Sequence, residues 1–125
     1  MRELEPRKFE ELVAELFRNM GYTVELTPRS RDGGLDIIAI DRSDLGSALT
    51  LIECKRYSAS NRVGVEVVRG LYGVVEQQRA TRGLIATTSF FTKDAMAFRD
   101  SVQYRLALAD FDQITQFLHE WKSQR

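Results

Sequence analysis

Leu49-Thr50-Leu51-Ile52-Glu53-Cys54-Lys55 is an apolar, strand-forming run that finishes on two charges one residue apart. In an extended strand, residues two apart share a face at a spacing of about 7 Å. Glu53 and Lys55 therefore project together while Ile52 and Cys54 point the other way, which gives the strand one core face and one ionic face. Upstream, Arg29-Ser30-Arg31-Asp32-Gly33-Gly34 reads as a turn feeding the apolar strand Leu35 to Ile40, with Asp36 at its start. Neighbouring strands lie about 4.8 Å apart, so the Asp36 carboxylate can reach Glu53. Two carboxylates and an amine would then meet at one end of a sheet.

The rest of the chain is arranged around these two strands. Phe9, Leu12, Val13, Leu16, Phe17 and Met20 recur at helical spacing, which predicts a helix from Arg7 to Met20, with Gly21 as its stop. Tyr22 to Leu26 alternates at strand period, and the stretch Asp41 to Ser47 is rich in turn formers. Three strands in succession then form a meander or hairpin sheet. Beyond a loop from Arg56 to Arg62, the stripe Val67, Val68, Leu71, Val74 and Val75 predicts a helix over Gly64 to Arg79. A strand from Gly83 to Thr88, a helix from Thr92 to Ser101 and a strand from Tyr104 to Ala109 follow. Asp110 with Gln113 matches a capping box that opens a last helix running to Trp121. The order is α-β-β-β-α-β-α-β-α, an α/β fold with one mixed sheet flanked by helices and parallel crossovers in its second half. No internal repeat or linker interrupts it, so residues 1–125 are expected to form a single domain.

Composition agrees with a folded protein the size of one ordinary domain. Hydrophobic residues make up 43% and charged residues 29% of the 125, far from the profile of disorder. The lone cysteine, Cys54, excludes an internal disulfide, and with one histidine there is no zinc cluster. No stretch approaches the roughly 20 apolar residues that span a bilayer, and the N-terminus lacks a secretory h-region, so the cytoplasm is the expected location. Eighteen basic residues balance eighteen acidic ones, so net charge makes no case for a nucleic-acid partner. Local charge does: Arg29 and Arg31 flank one turn, and Lys55, Arg56 and Arg62 surround another, which leaves room for a phosphate-facing patch.

The cluster itself points to a cation. Two like charges near 4 Å repel by about 4 kcal/mol at an effective dielectric near 20, so the pair needs a proton or a metal between them. Oxygen ligands without histidine or paired thiolate favour Mg²⁺ or Mn²⁺, with water and substrate phosphate completing the shell. Lys55 would orient an attacking water or stabilise charge on the phosphate.

Asp36 followed by Ile52-Glu53-Cys54-Lys55 resembles the PD-(D/E)XK nucleases, and specifically the Mrr-type restriction endonuclease domain. Phe9-Glu10-Glu11-Leu12-Val13, Met20-Gly21-Tyr22, Asp32-Gly33-Gly34-Leu35-Asp36-Ile37, Glu53-Cys54-Lys55-Arg56-Tyr57 and Thr87-Thr88-Ser89-Phe90-Phe91-Thr92 are similar to that family's blocks and stand in its order. Leu35 occupies the place of the motif's proline, and Glu53 stands where many Mrr-like members carry glutamine. Neither departure removes a required charge. The resemblance implies a restriction-endonuclease-like fold and a Mg²⁺-dependent phosphodiesterase acting on DNA. Asp36, Glu53 and the backbone carbonyl of Cys54 would hold the metal, Lys55 would assist the nucleophile, and Glu10 would be an additional acidic residue of the site.

Other polar residues have plainer readings. Thr87, Thr88 and Ser89 could meet phosphate, or could bond locally where a strand turns into a loop. His119 stands apart from every block, and Cys54 alternates away from the charged pair to fill space. The expected activity is that of an endodeoxyribonuclease. A nucleic-acid-binding or assembly module with little turnover, and a Holliday-junction resolvase-like nuclease, remain alternatives on the same architecture. Cutting both strands of a duplex calls for a homodimer, and sequence recognition for a separate specificity domain or subunit.

Overall fold

A computed structural model describes residues 5–27, 36–43 and 45–123. The element order is α1 (Pro6–Asn19), β1 (Thr23–Leu26), β2 (Ile37–Ser43), β3 (Gly46–Lys55), α2 (Val65–Gln77), β4 (Arg82–Thr87), α3 (Lys93–Ser101), β5 (Leu106–Ala109) and α4 (Phe111–Ser123). The glycine turn, Arg29, Arg31 and Leu35 lie outside the described residues.

Local signals explain most of the boundaries. Pro6 occupies the first turn of α1, where its fixed φ suits a helix and its missing N–H has no partner to lose. Gly21 adopts φ +100°, a left-handed conformation that reverses the chain after α1 and launches β1. The Thr92 hydroxyl caps α3 by accepting from the Ala95 N–H at 3.1 Å. At α4 the capping box forms in full: the Gln113 amide donates to Asp110 Oδ1 at 3.0 Å, and Gln113 Oε1 accepts from the Asp110 amide at 2.9 Å.

The five strands lie in the order β1-β2-β3-β4-β5. β1, β2 and β3 pair antiparallel, whereas β3, β4 and β5 pair parallel through the α2 and α3 crossovers. Both faces of the sheet are covered. On one, Leu51 and Ile85 pack with Val68, Leu71 and Val75 of α2. On the other, Ile37, Ile52 and Ala86 pack with Phe9 and Val13 of α1 and Ile114 of α4. Gly83 opens the way for α2, because a Cβ there would meet Val75 Cγ2 at 2.8 Å.

Three expectations are revised. The segments Asp41 to Ser43 and Gly46 to Ser47 are strand rather than loop. β2 and β3 continue as a hairpin past the residues that β1 and β4 can pair, with a register closing at Ser43 opposite Gly46. The exposed side chains of Asp41, Arg42 and Ser47 mark solvent on a projecting ribbon rather than a turn. β5 begins only at Leu106, because Tyr104 takes φ 77°, outside any strand conformation. β3 also lacks a continuous ionic face: Leu51 on the face of Glu53 is fully buried, so charge is confined to the C-terminal end.

Candidate active site

The site forms where β3 runs out of partners on one side. β2 starts at Ile37, paired with Ile52, so Asp36 stands opposite Glu53 at the mouth of the β2–β3 ladder. The Asp36 amide still donates to the Ile52 carbonyl at 3.0 Å. Its side chain turns back on the same strand, and Oδ2 accepts the Cys54 N–H at 2.7 Å. The Thr27 amide donates to the Asp36 carbonyl at 2.9 Å, which ties the end of β1 to the same point.

Glu53 is 7% exposed and pairs with Lys55, whose Nζ lies 3.0 Å from Oε2. The i, i+2 spacing therefore does put both side chains together. Glu10, also 7% exposed, reaches the same end from α1, which covers the opposite face of the sheet, whereas Glu11 is exposed. Arg7 Nη1 bonds Glu10 Oε1 at 2.7 Å and also donates to the Thr27 carbonyl at 3.2 Å, which fixes the first turn of α1 against the end of β1.

Burial and crowding of acids set the electrostatics. The Asp36 carboxyl is pushed up from 3.8 to about 6, first by loss of solvent and then by the charges of Glu10 and Glu53, against the opposing Cys54 hydrogen bond. Burial also raises Glu53, and the Lys55 bond only partly offsets it. For Lys55 burial works against the charge, yet the hydrogen bond and charge of Glu53 outweigh it and hold the amine above its usual range. Lys55 is thus a protonated donor, not a base, at neutral pH. Burial and the neighbouring acids raise the Cys54 thiol well above its ordinary value. That thiol is inert and space-filling, and it packs on the α1 side of the sheet.

The donor set suits a hard divalent cation: carboxylates raised by burial and mutual repulsion are stabilised by a positive charge placed between them. Among the described residues no group of three or more His, Cys, Asp or Glu forms a ready-made cage. A cation here would take few protein oxygens and keep much of its shell for water and phosphate, as Mg²⁺ does.

Sequence reasoning left the role of Thr87, Thr88 and Ser89 open. All three are fully buried, and their hydroxyls bond the backbone at Lys55, Tyr57 and Ala59. Of the basic residues beyond β3, Arg62 is exposed and stacks over Phe90, with its guanidinium carbon 5.5 Å from the ring centroid. His119 is exposed on α4, away from the cluster. No helix among the described residues is long and apolar enough to cross a membrane.

Comparison with known proteins places this arrangement. The profile of a family described as "Restriction endonuclease", of the Mrr catalytic type, matches residues 1–118. The Type IV methyl-directed restriction enzyme EcoKMrr of Escherichia coli K12 is 30% identical over 124 residues, covering 94% of this chain and 39% of that enzyme. Among solved structures, the DNA modification-dependent restriction endonuclease AspBHI superposes with a TM-score of 0.76 at 24% identity, over 97% of this chain and 32% of that one. MspJI restriction endonuclease, solved in complex with a 27-mer oligonucleotide, gives 0.71 at 23% identity, over 87% of this chain and 26% of that one. The chain spans only 29% and 39% of the lengths of two curated relatives it matches. With the profile covering nearly the whole length and the mixed sheet carrying its acids at the expected strand end, the chain belongs to the Mrr-type restriction endonuclease family.

Proposed function

We propose that residues 1–125 act as one catalytic domain that hydrolyses DNA phosphodiester bonds as a divalent-cation-dependent endonuclease. The observation that carries the reading is the convergence of Asp36, Glu53 and Lys55 at the open end of β3, where a 3.0 Å ion pair holds the lysine beside the acids. Asp36, Glu53 and the backbone carbonyl of Cys54 would hold Mg²⁺ or Mn²⁺. When bound, the cation neutralises the two carboxylates and supplies Lewis-acid stabilisation of charge on the scissile phosphate.

The remaining work falls to this chain's own side chains. Glu53 keeps Lys55 protonated and fixes the position of Nζ, so the ammonium can donate to a phosphate oxygen or to the attacking water. A donor placed in advance contributes through preorganisation rather than through proton removal. Asp36, anchored by the Cys54 amide, keeps its position without rearrangement. Glu10, braced by Arg7, adds negative charge next to Asp36 and favours occupancy by a cation.

DNA is the proposed partner, supported by family membership and by the oligonucleotide in the MspJI structure. A homodimer and a separate specificity domain or subunit complete the proposal, since the relatives are much longer than this domain. A reducing, cytoplasmic location fits the lone, inert Cys54. The test is cleavage of supercoiled, linear, methylated and junction DNA with Mg²⁺ or with chelator. Cation-dependent cutting by the parent, lost in Asp36→Asn, supports the assignment. Cutting that persists in chelator, or in the variant, refutes it.

A further inference from the structure

Parallel pairing between β3 and β4 stops at Lys55 opposite Thr87, yet the two segments stay joined beyond that point by side chains. Thr87 Oγ1 donates to the Lys55 carbonyl at 2.7 Å, Thr88 Oγ1 to the Tyr57 carbonyl at 2.7 Å, and Ser89 Oγ to the Ala59 carbonyl at 3.4 Å. The Thr88 amide also donates to the Lys55 carbonyl at 3.3 Å, and the Ser89 amide to Thr87 Oγ1 at 3.0 Å. The β4 side advances one residue for every two on the β3 side. A backbone ladder pairs residues one to one and cannot follow such a mismatch, whereas hydroxyls on successive residues can. At the far end of the loop a backbone ladder resumes, with Val63 bridging Phe91 and the Thr92 amide donating to the Val63 carbonyl at 3.0 Å.

We propose that Thr87, Thr88 and Ser89 form a buried hydroxyl ladder that positions two working parts of the nuclease site: Lys55 through Thr87, and the loop carrying Arg56 and Arg62 through Thr88 and Ser89. This rests on the nuclease reading above and deepens it, because the loop is given the task of taking the phosphates of the bound strand beside the scissile one. Three side chains whose hydroxyls bond backbone carbonyls thereby set the distance between chemistry and grip. They are positioning residues, and they act on different steps.

The test uses isosteric substitutions, which remove a hydroxyl and keep its volume. Thr87→Val should lower kcat about tenfold with DNA affinity unchanged, since the loss of one hydrogen bond lets the Lys55 backbone shift relative to the acids. Thr88→Val should leave kcat within about twofold, raise the Kd for DNA several-fold and reduce the slope of log affinity against log salt by about one phosphate contact. Thr87→Ser and Thr88→Ser keep the hydroxyl and should restore each parameter. Amide hydrogen exchange over residues 55–59, read on the same proteins, should speed up in the valine variants and not in the serine ones. The proposal is overturned if both valine variants lose activity only in proportion to a lower melting temperature, if serine fails to rescue, or if the two variants affect kcat and Kd alike. A parent that cuts no DNA sinks the nuclease reading alone. The ladder then stands or falls on the salt slope and the exchange rates.

Discussion

Replacing Asp36 by asparagine should destroy the site and stabilise the fold. Asparagine keeps an oxygen to accept the Cys54 N–H that Oδ2 now takes at 2.7 Å, so the local geometry survives. The change removes a charge that burial and two neighbouring acids disfavour, to the extent that the carboxyl rises from 3.8 to about 6. Expressed fully as stability, that rise corresponds to about 3 kcal/mol. Asp36 is only half-buried, and screening by solvent reduces the figure to roughly 1 kcal/mol. A folded-state value above the unfolded one means that protonated Asp36 favours the fold. That contribution is fully present below about 3.8 and is lost as pH rises through about 6. Without metal, Asp36→Asn should therefore melt roughly 3–5 °C above the parent at pH 7, and the difference should vanish near pH 4. Cleavage should fall by at least about two orders of magnitude, the scale of losing one preorganised group at a reacting centre. Differential scanning calorimetry across pH, paired with a plasmid-nicking assay, measures both effects. A variant less stable than the parent at pH 7, or a gain that persists at pH 4, would refute the electrostatic account of the site.

Lys55→Ala should abolish cleavage, leave the heat of Mg²⁺ binding nearly intact and keep DNA affinity within about tenfold, because the proposed metal ligands do not include the amine and the proposed phosphate grip lies mostly on the loop beyond it. Full cutting by this variant would overturn the proposed role. Titrating Mg²⁺ to ten times its Kd should raise stability by about 1.4 kcal/mol by mass action, and identical melting with Mg²⁺ and with chelator would remove the metal site. DNA affinity should fall steeply with salt despite the zero net charge, through Lys55, Arg56 and Arg62, as a fluorescence anisotropy series would read. Leu71→Ala should cost about 2–5 kcal/mol in urea unfolding, since that side chain is 1% exposed between α2 and the sheet.

The parts legible in the sequence are those governed by short-range rules. The apolar stripe of α1, the Asp110 and Gln113 box and the shared face of Glu53 and Lys55 each follow from a fixed spacing, and each appears in the structure. Tertiary context decided the rest. Asp41, Arg42 and Ser47 resemble a turn, yet the hairpin continues through them because pairing between two strands requires no buried face. Tyr104 and Arg105 resemble strand, but the chain enters β5 through a positive φ at Tyr104 that no composition signals. The burial of Glu10 could be anticipated from its place beside Phe9 and Val13, whereas its brace, Arg7, could not, since a charged residue near a helix start is ordinarily solvated. Thr87, Thr88 and Ser89 were visible as a polar block. Their partners, 30 to 32 residues earlier in the chain, depend on the way β4 meets β3.

The projecting β2–β3 hairpin offers a handle for spectroscopy. Leu45 at its tip is fully exposed and stands eight positions before Glu53, a distance of roughly 26 Å along β3. Gly46 supplies the positive φ of +119° at the bend, a conformation that glycine adopts without strain, and substitution at Leu45 leaves that glycine in place. A cysteine introduced there is far more accessible to maleimide than Cys54, which lies half-buried against the core. A dye at that address sits within energy-transfer range of a labelled oligonucleotide yet well away from the acids. The arrival and departure of DNA could then be timed by fluorescence with the chemistry undisturbed.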